Sequence, residues 1–392
     1  MFLKENCRIV VITNVCSHYR RNFFEKLDKA YDVDFLFFND NLDVYWEDKS
    51  KLTTGSFKKT YLRGFYITKR IKILPFLSYK IIKGKYKVII QGISGRFALL
   101  VSFVTAKLFK IPFILWTGLW SHPDTFFHRV SFIFTKLIYK HSNAILVYGE
   151  HVKRYLVSLG MNENKIFIAT QALDNSLFDK PVSEADKRSL KNSLGLSNKR
   201  IILYTGRLEI HKGVYFLLDA VSSLKDKTSC LIFIGTGSEY QRLKKVVDKR
   251  KLSNVFFLGH IKNEMLYRYY AVADIFVLPS ITTRTFKEPW GMVINEAMNQ
   301  GCPVVATECV GAAAGGLIKE SVNGLIVPEK DPKALEKAIS TLLENEGLRK
   351  QMGINSKAMI QNWTDDLRLK GFVGAIDYAL KDKDKLNECR YN

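Results

Sequence analysis

Two stretches of the chain set charged residues at spacings that can do phosphate and sugar chemistry. The first is Leu203-Tyr204-Thr205-Gly206-Arg207-Leu208-Glu209-Ile210-His211-Lys212-Gly213. An apolar run ends at Thr205, Gly206 lets the backbone turn tightly, and a helical pattern starts near Gly213. Arg207 and Lys212 therefore lie at the carboxyl end of a strand, beside a helix amino terminus. Two cations and a positive dipole end make a diphosphate site; taken alone, the same residues also read as a solvated loop with two surface cations. The second stretch is Glu288-Pro289-Trp290-Gly291-Met292-Val293-Ile294-Asn295-Glu296. Pro289 fits a first helical turn with Glu288 at its cap, which opens the amides of Gly291, Met292 and Val293 to phosphate oxygens. Glu288 and Glu296 are then ~12 Å apart along an α-helix. A hydrolase carboxylate pair needs ~5–5.5 Å for retention or ~6.5–9.5 Å for inversion. The wider spacing suits two carboxylates that bind hydroxyls at opposite ends of a nucleotide sugar. A capping Glu and an ordinary helix-surface Glu are the alternative.

The elements that would position these residues follow from hydrophobic runs. Arg8–Thr13, Asp32–Phe38, Lys87–Gln91, Pro112–Trp116 and Ala144–Tyr148 read as buried strands, with helical patterns at Arg20–Ala30, Phe97–Phe109, Thr125–Tyr139 and Glu150–Leu159. Continuous Val/Ile/Phe runs joined by helices argue a parallel sheet covered on both faces. After the polar break Asn175–Lys199 the pattern restarts with Arg200–Tyr204, Leu231–Ile234, Val255–Leu258, Ile275–Leu278 and Pro303–Ala306. The expected fold class is α/β, with two Rossmann-like doubly wound domains facing across a cleft that holds the ligand. Residues 1–178 form the first domain, rejoined by a helix in 365–392, and residues 179–364 form the second.

Composition bounds the partners. The 392 residues hold 60 Lys+Arg against 38 Asp+Glu, a formal net charge of +22, with 47% hydrophobic residues. This excludes a disulfide-built mini-protein, collagen and low-complexity disorder, and asks for a polyanionic partner. From Lys49 to Lys140 there are 18 Lys+Arg and one acid, Asp124, a balance of +17. Six cysteines show no CxxC pair and read as free thiols in a reducing compartment. The amino terminus is charged too early for a signal peptide, and the uncharged stretch Ile111–Pro123 is 13 residues, short of the ~20 needed to span a bilayer.

Taken together and in order, these motifs resemble the retaining glycosyltransferases of family 4, which have the GT-B fold. The resemblance rests on Gly206-Arg207 with Lys212-Gly213, Glu288-x7-Glu296 and Gly301-Cys302-Pro303-Val304-Val305-Ala306. Ala172-Leu173-Asp174 through Phe178, Phe257-Leu258-Gly259-His260-Ile261 and Asn323-Gly324-Leu325-Ile326-Val327 add to it, so that most of Ile166–Leu343 is covered in one register. It implies that Arg207 and Lys212 hold the donor diphosphate, that Glu288 contacts the donor sugar and Glu296 the ribose, and that backbone around Gly259 and Ile261 lines the base. It also implies a UDP- or GDP-linked sugar as substrate, no cofactor and no metal; consistently, no DxD-type acidic pair stands in a plausible loop.

The amino-terminal half departs from the family pattern. In Trp116-Thr117-Gly118-Leu119-Trp120-Ser121-His122, Gly118 stands where the family often places a His, and His122 follows four residues later. The opening loop Val15-Cys16-Ser17-His18-Tyr19-Arg20-Arg21 lacks the common Gly-Gly pair. His18, Arg20, Gly118 and His122 are the candidates for the acceptor or donor-sugar side, with loop or core roles as the alternative. Between Tyr61 and Lys87, Arg63, Lys69, Arg70, Lys72, Lys80, Lys83, Lys85 and Lys87 interleave with aromatic and aliphatic residues. This mixture suits an anionic membrane surface, a solvated lysine face being the alternative. No pattern for nucleic-acid binding accompanies it. The reading is a metal-independent retaining transferase, cytoplasmic and peripheral to the inner face of the cell membrane, acting on a lipid-linked or envelope-glycan acceptor. Its rivals are a sugar-nucleotide epimerase of the same architecture and a non-catalytic membrane- or anion-binding module.

Overall fold

The structure, a computed structural model, describes residues 7–38, 56–68, 71–226 and 228–388. The strands in chain order are β1 (Arg8–Thr13), β2 (Asp32–Phe37), β3 (Lys59–Tyr61), β4 (Phe65–Thr68), β5 (Ile71–Ile73), β6 (Val88–Gly92), β7 (Phe113–Thr117), β8 (Ala144–Val147), β9 (Ile166–Ile168), β10 (Arg200–Thr205), β11 (Ser229–Ile234), β12 (Val255–Gly259), β13 (Ile275–Leu278), β14 (Val304–Thr307) and β15 (Gly324–Val327). The chain divides into two compact units. The first comprises Met1–Leu119, Phe126–Gln171 and Asp365–Asn392, and the second Trp120–Thr125 with Ala172–Thr364.

The first unit holds a parallel seven-stranded sheet of order β3-β2-β1-β6-β7-β8-β9, with a separate antiparallel hairpin of β4 and β5. The second holds a parallel six-stranded sheet of order β12-β11-β10-β13-β14-β15. The expected fold class of two doubly wound α/β domains is what the chain adopts. The central strands, such as β6, β7, β8 and β11, are buried along their whole length, which is why they read as unbroken apolar runs rather than alternating ones. Each sheet reverses its winding once, between β1 and β6 and between β10 and β13. Loops leaving the carboxyl ends of those strands part there and leave a place for a ligand.

Aromatic packing ties the last helix, Asp365–Glu388, into the first unit. Phe372 lies 4.7 Å from Phe23 and 5.2 Å from Trp116 between ring centroids, and Ala375, Ile376 and Ala379 are fully buried in the same cluster. Burial of one such phenylalanine is worth about 1.5–3 kcal/mol. Gly371 permits the approach: a Cβ there would sit 2.1 Å from the Ile168 carbonyl oxygen.

Several sequence expectations shift. The division between units falls before Ala172 rather than after Phe178, because Phe178 packs on Tyr270 and the Asn175 side chain donates to the Ile360 carbonyl. The short segment 120–125 groups with the second unit. The stretch read as a polar junction contains a helix, Glu184–Ser193, with no buried residue to give it an apolar stripe. Within the basic stretch, Lys72 is buried and donates to the Leu62 carbonyl, and Leu62, Leu74, Leu77, Ile81 and Tyr86 are core residues rather than surface. Lys69 and Arg70 lie outside the described residues. Cys7, Cys16, Cys230, Cys302 and Cys309 are buried free thiols, while Cys389 lies outside the described residues.

Candidate functional site

Three loops at the carboxyl edge of the second sheet are laced together by backbone. After β10, the Gly206 amide donates to Ile234 and the Leu208 amide to Thr236; after β11, the Gly235 amide donates to Gly259 at 2.7 Å. Gly235 and Gly237 make this possible: a Cβ on either would lie 2.0 Å from the Gly206 carbonyl oxygen or 2.3 Å from that of Leu208. The Gly235-Thr236-Gly237 turn escaped the sequence reading, although a glycine pair just after an apolar strand was its signal. Two side chains complete the lacing. Tyr204 donates to the Arg207 carbonyl at 2.7 Å, and the Glu209 carboxylate accepts from the Ser238 amide and hydroxyl at 3.1 and 2.7 Å. Arg207 itself is exposed.

A 3-10 turn, Ile210–Lys212, then delivers Lys212, and Gly213 starts the helix Val214–Ser222 at φ 67°. There a Cβ would stand 1.8 Å from the Pro279 carbonyl oxygen, so the β10 and β13 loops meet backbone to backbone. Across this contact Lys212 Nζ lies 2.5 Å from Glu288 Oε2, with 13% and 8% of the side chains exposed. The Ser280 hydroxyl donates to the same oxygen at 3.0 Å. Burial pushes the Glu288 carboxyl up, but the Lys212 charge and the hydrogen bonds from Lys212 and Ser280 outweigh it and hold the group below the usual glutamate range. The His211 ring packs 4.3 Å from Phe286, and burial, then Lys212, lower its pKa despite Glu288.

One expectation is corrected here. Glu288 and Pro289 do not open the helix; it runs Met292–Asn299, with Gly291 as N-cap at φ 94°. The preceding residues are held by another partner: the Gly311 amide donates to the Glu288 carbonyl and the Ala312 amide to that of Trp290. The ~12 Å helical separation of Glu288 and Glu296 therefore does not apply. The amides of Met292 and Val293 remain first-turn donors of this helix, as any helix start provides. The β13 loop gains a further support from the 120–125 segment. Trp120 Nε1 donates to the Glu288 carbonyl at 3.0 Å, Lys287 Nζ lies 3.7 Å over the Trp120 ring, and the Asp124 amide donates to Arg284. His122 belongs to this same half-buried segment.

Glu296 is buried and linked back to β10. Tyr270 donates to Glu296 Oε2 at 2.7 Å, and the Tyr270 hydroxyl lies 2.6 Å from Thr205 Oγ1, the last residue of β10. Neither Tyr270 nor Thr205 was legible as a partner, since both contacts join residues far apart in sequence. Burial pushes the Glu296 carboxyl up to about 7, and the Tyr270 hydrogen bond offsets only part of it. A carboxyl whose folded pKa lies above its unfolded value of about 4.3 destabilises the folded state as pH rises from that value through about 7. Glu296→Gln should therefore flatten the fall in melting temperature between about pH 5 and 8, by an amount equivalent to at most roughly 3 kcal/mol. An unchanged pH profile would show that Glu296 titrates normally.

The other candidates fall elsewhere. Gly259 has φ 68° and open space at its Cβ position, and Ile261 follows it at the end of β12. In the first unit, Gly118 is buried against Tyr148, whose ring would meet a Cβ there at 2.2 Å. That contact explains a glycine where the family pattern has a histidine. Arg20 donates to the Tyr148 hydroxyl at 2.9 Å. The His18 side chain lies outside the described residues. Among the described residues, no group of three or more His, Cys, Asp or Glu could hold a metal ion.

Comparison with known proteins bears on this site directly. The family described as "Glycosyl transferases group 1" matches residues 186–359, the span that contains Arg207, Lys212, Tyr270, Glu288 and Glu296. An uncharacterised glycosyltransferase of Methanocaldococcus jannaschii is 28% identical over 61% of this chain and 60% of its own length, so the chain spans about three-fifths of that relative. The N,N'-diacetylbacillosaminyl-diphospho-undecaprenol alpha-1,3-N-acetylgalactosaminyltransferase of Campylobacter jejuni is 28% identical over 85% of this chain and 87% of its own. The structure of Anabaena HepE in complex with UDP and glucose superposes with a TM-score of 0.73, covering 98% of this chain and 100% of that one at 18% identity, a likeness of fold. Residues 186–359 thus match the glycosyl transferases group 1, on a chain whose two α/β units have the GT-B fold.

Proposed function

We propose that the protein is a glycosyltransferase that moves a sugar from a UDP- or GDP-linked donor with retention of configuration, in the manner of family 4, and without a metal. The observation that carries this reading is the buried Lys212–Glu288 pair at the winding reversal of the second sheet, with Glu296 tied to β10 through Tyr270. Lys212 and the exposed Arg207 would stabilise the leaving diphosphate, helped by the first amides of the helix Met292–Asn299. Glu288 would meet the donor sugar, and Glu296 the ribose hydroxyls. Retention would follow from attack on the face that the diphosphate leaves, with a phosphate oxygen taking the acceptor's proton. Relatives whose names state an activity transfer sugars, which favours transfer over epimerisation. A thermal-shift screen with UDP- and GDP-linked sugars tests the donor class: one of them should raise the melting temperature of the wild type and less so that of Glu296→Gln. No stabilisation by any nucleotide sugar would count against the reading.

The acceptor would be a lipid-linked or envelope glycan at the inner face of the cell membrane. Supporting this are a diphospho-undecaprenol-linked substrate in the name of the Campylobacter relative and an apolar surface on the first unit. The helix Phe126–His141 turns Phe126, Val130, Ile133, Phe134 and Leu137 outward, with Ile133 63% exposed, and the helix Arg96–Leu108 does so with Leu100, Val104 and Leu108. These are stripes at helical spacing that face away from the core. The two helices touch through Arg96 and His128, and the helix Leu77–Lys83 joins them through Ser78 and Thr105. Lys80, Lys83, Lys107, Arg129, Lys136 and Lys140 are exposed on the same elements. Among the described residues no helix is long and apolar enough to cross a membrane. In co-sedimentation, the protein should bind anionic and not neutral vesicles. Serine at Lys80, Lys83, Lys85 and Lys87 should remove the salt-sensitive part, and Ile133→Asp with Phe134→Asp the salt-resistant part. Equal binding to neutral and anionic vesicles at every salt concentration would refute a basic membrane face.

A further inference from the structure

Arg20 stands in the β1 loop, where the first sheet reverses its winding. It makes no ion pair with a carboxylate among the described residues. Its Nη2 donates to the Tyr148 hydroxyl, its guanidinium lies 4.5 Å over the Trp116 ring and 5.6 Å from that of Tyr19, and its Nε is buried without a hydrogen-bond partner. A second guanidinium, fully buried Arg368, acts on the same group of residues. Arg368 Nε donates to the Thr170 carbonyl at 2.8 Å, and Nη1 lies 3.3 Å from Asp365. The Asp365 carboxylate is thus engaged by Arg368.

Burying a cation beside another is costly unless an anion completes the group. Aromatic faces recover only part of that cost. Arg20 is also the N-cap of the helix Arg21–Ala30, which has no acidic residue in its first turn and no side-chain cap, so the helix dipole adds positive potential at this point. The surrounding titration agrees. Burial raises the Tyr19 phenol, yet Arg20, the Ser17 hydrogen bond and Arg368 outweigh it and hold it below the usual range. Burial, opposed by Asp365, brings the Arg368 guanidinium down to about 10.

We infer that Arg20, held over the Trp116 ring, oriented by its hydrogen bond to the Tyr148 hydroxyl and backed by Arg368, is a recognition site in the first unit for a phosphate or diphosphate ester. The planar fork fits phosphate oxygens in two-point contact through its terminal nitrogens. Its identification with the acceptor's phosphate rests on the transferase reading; the anion site itself does not. Arg20 belongs to the first unit and Lys212 to the second, so each can be substituted by itself.

The test is calorimetric titration of the full chain with inorganic pyrophosphate and with farnesyl diphosphate. Wild type and Arg20→Gln are compared with a charge-removed pair, Lys212→Met with Glu288→Gln. Wild type should show two pyrophosphate sites. Arg20→Gln should weaken one at least tenfold and keep the other, the pair variant the reverse, and Arg20→Lys should fall between. Farnesyl diphosphate should lose at least tenfold in Arg20→Gln and little in the pair variant. Should Arg20→Gln fail to fold, Tyr148→Phe gives the same reading through a smaller loss, about threefold, because it frees the guanidinium it orients. Unchanged titration of both ligands in Arg20→Gln or Tyr148→Phe would overturn the site. Loss of pyrophosphate alone, with farnesyl diphosphate unaffected, would overturn its assignment to an ester. An unchanged pair variant would count against the transferase site and leave Arg20 untouched.

Discussion

Lys212→Ala is expected to lose stability and activity together, where the sequence alone suggests a cleft lysine whose removal leaves the fold intact. The reason is Glu288. Its carboxylate is 8% exposed and Lys212 is its ion-pair partner. Removing the ammonium leaves a buried charge, which typically costs about 3–5 kcal/mol. The loss also has a pH signature. With Lys212 present, the lowered pKa of Glu288 adds stability above the usual glutamate value of about 4.3, and this is lost as pH falls through the folded pKa. Without Lys212 only burial and weaker partners remain, so the carboxyl should rise and the variant should become less stable as pH increases. Combining Lys212→Met with Glu288→Gln should recover most of the stability, because both charges are gone. Turnover should stay low in the double variant, by the equivalent of about 2–4 kcal/mol of transition-state stabilisation if Lys212 meets the leaving group. Denaturant unfolding at several pH values, alongside an activity assay, separates the two effects. A Lys212→Ala protein as stable as wild type would mean that the pair is not formed.

Gly213→Ala is expected to be as damaging through geometry alone. The left-handed backbone at φ 67° costs an alanine about 1–2 kcal/mol. The Cβ costs more, since it would stand 1.8 Å from the Pro279 carbonyl oxygen, an atom of the backbone that cannot rotate away. The β10 and β13 loops would have to separate, and Lys212, the adjacent residue, would move from Glu288. A total above about 4 kcal/mol, or loss of soluble protein, is expected. Gly160→Ala supplies the control: φ is 84° there but no atom lies within 4 Å of the Cβ position, so only the backbone cost of about 1–2 kcal/mol should appear. Equal unfolding midpoints for the two variants would show that the two loops do not meet so closely.

Strands were the most legible part of the chain because parallel strands buried on both faces leave continuous Val/Ile/Phe runs. Arg8–Thr13 and Ile275–Leu278 match to the residue, and the others read shift by one or two positions. Short or polar elements left weaker traces. β9 has three residues, β15 hides behind the glycine that starts it, and the helix Glu184–Ser193 buries nothing. At the site, motif residues could be found but not their partners. Pro289 favours a first turn and so predicts Glu288 as a helix cap, whereas its side chain goes to Lys212 and Ser280 and its carbonyl to Gly311 and Trp120. Tyr270 and Trp120 reach their partners across the fold, and no local periodicity marks such a contact.

Donor binding is the most direct test of the account. Calorimetric titration with the nucleotide sugar that stabilises the protein best should give one site in the wild type. Affinity should fall at least tenfold in Glu296→Gln, which loses the ribose carboxylate, and in Lys212→Met with Glu288→Gln, which loses the diphosphate and sugar contacts. Arg20→Gln should bind the donor as wild type does. Wild-type donor affinity in both second-unit variants would contradict the placement of the nucleotide sugar at Lys212, Glu288 and Glu296.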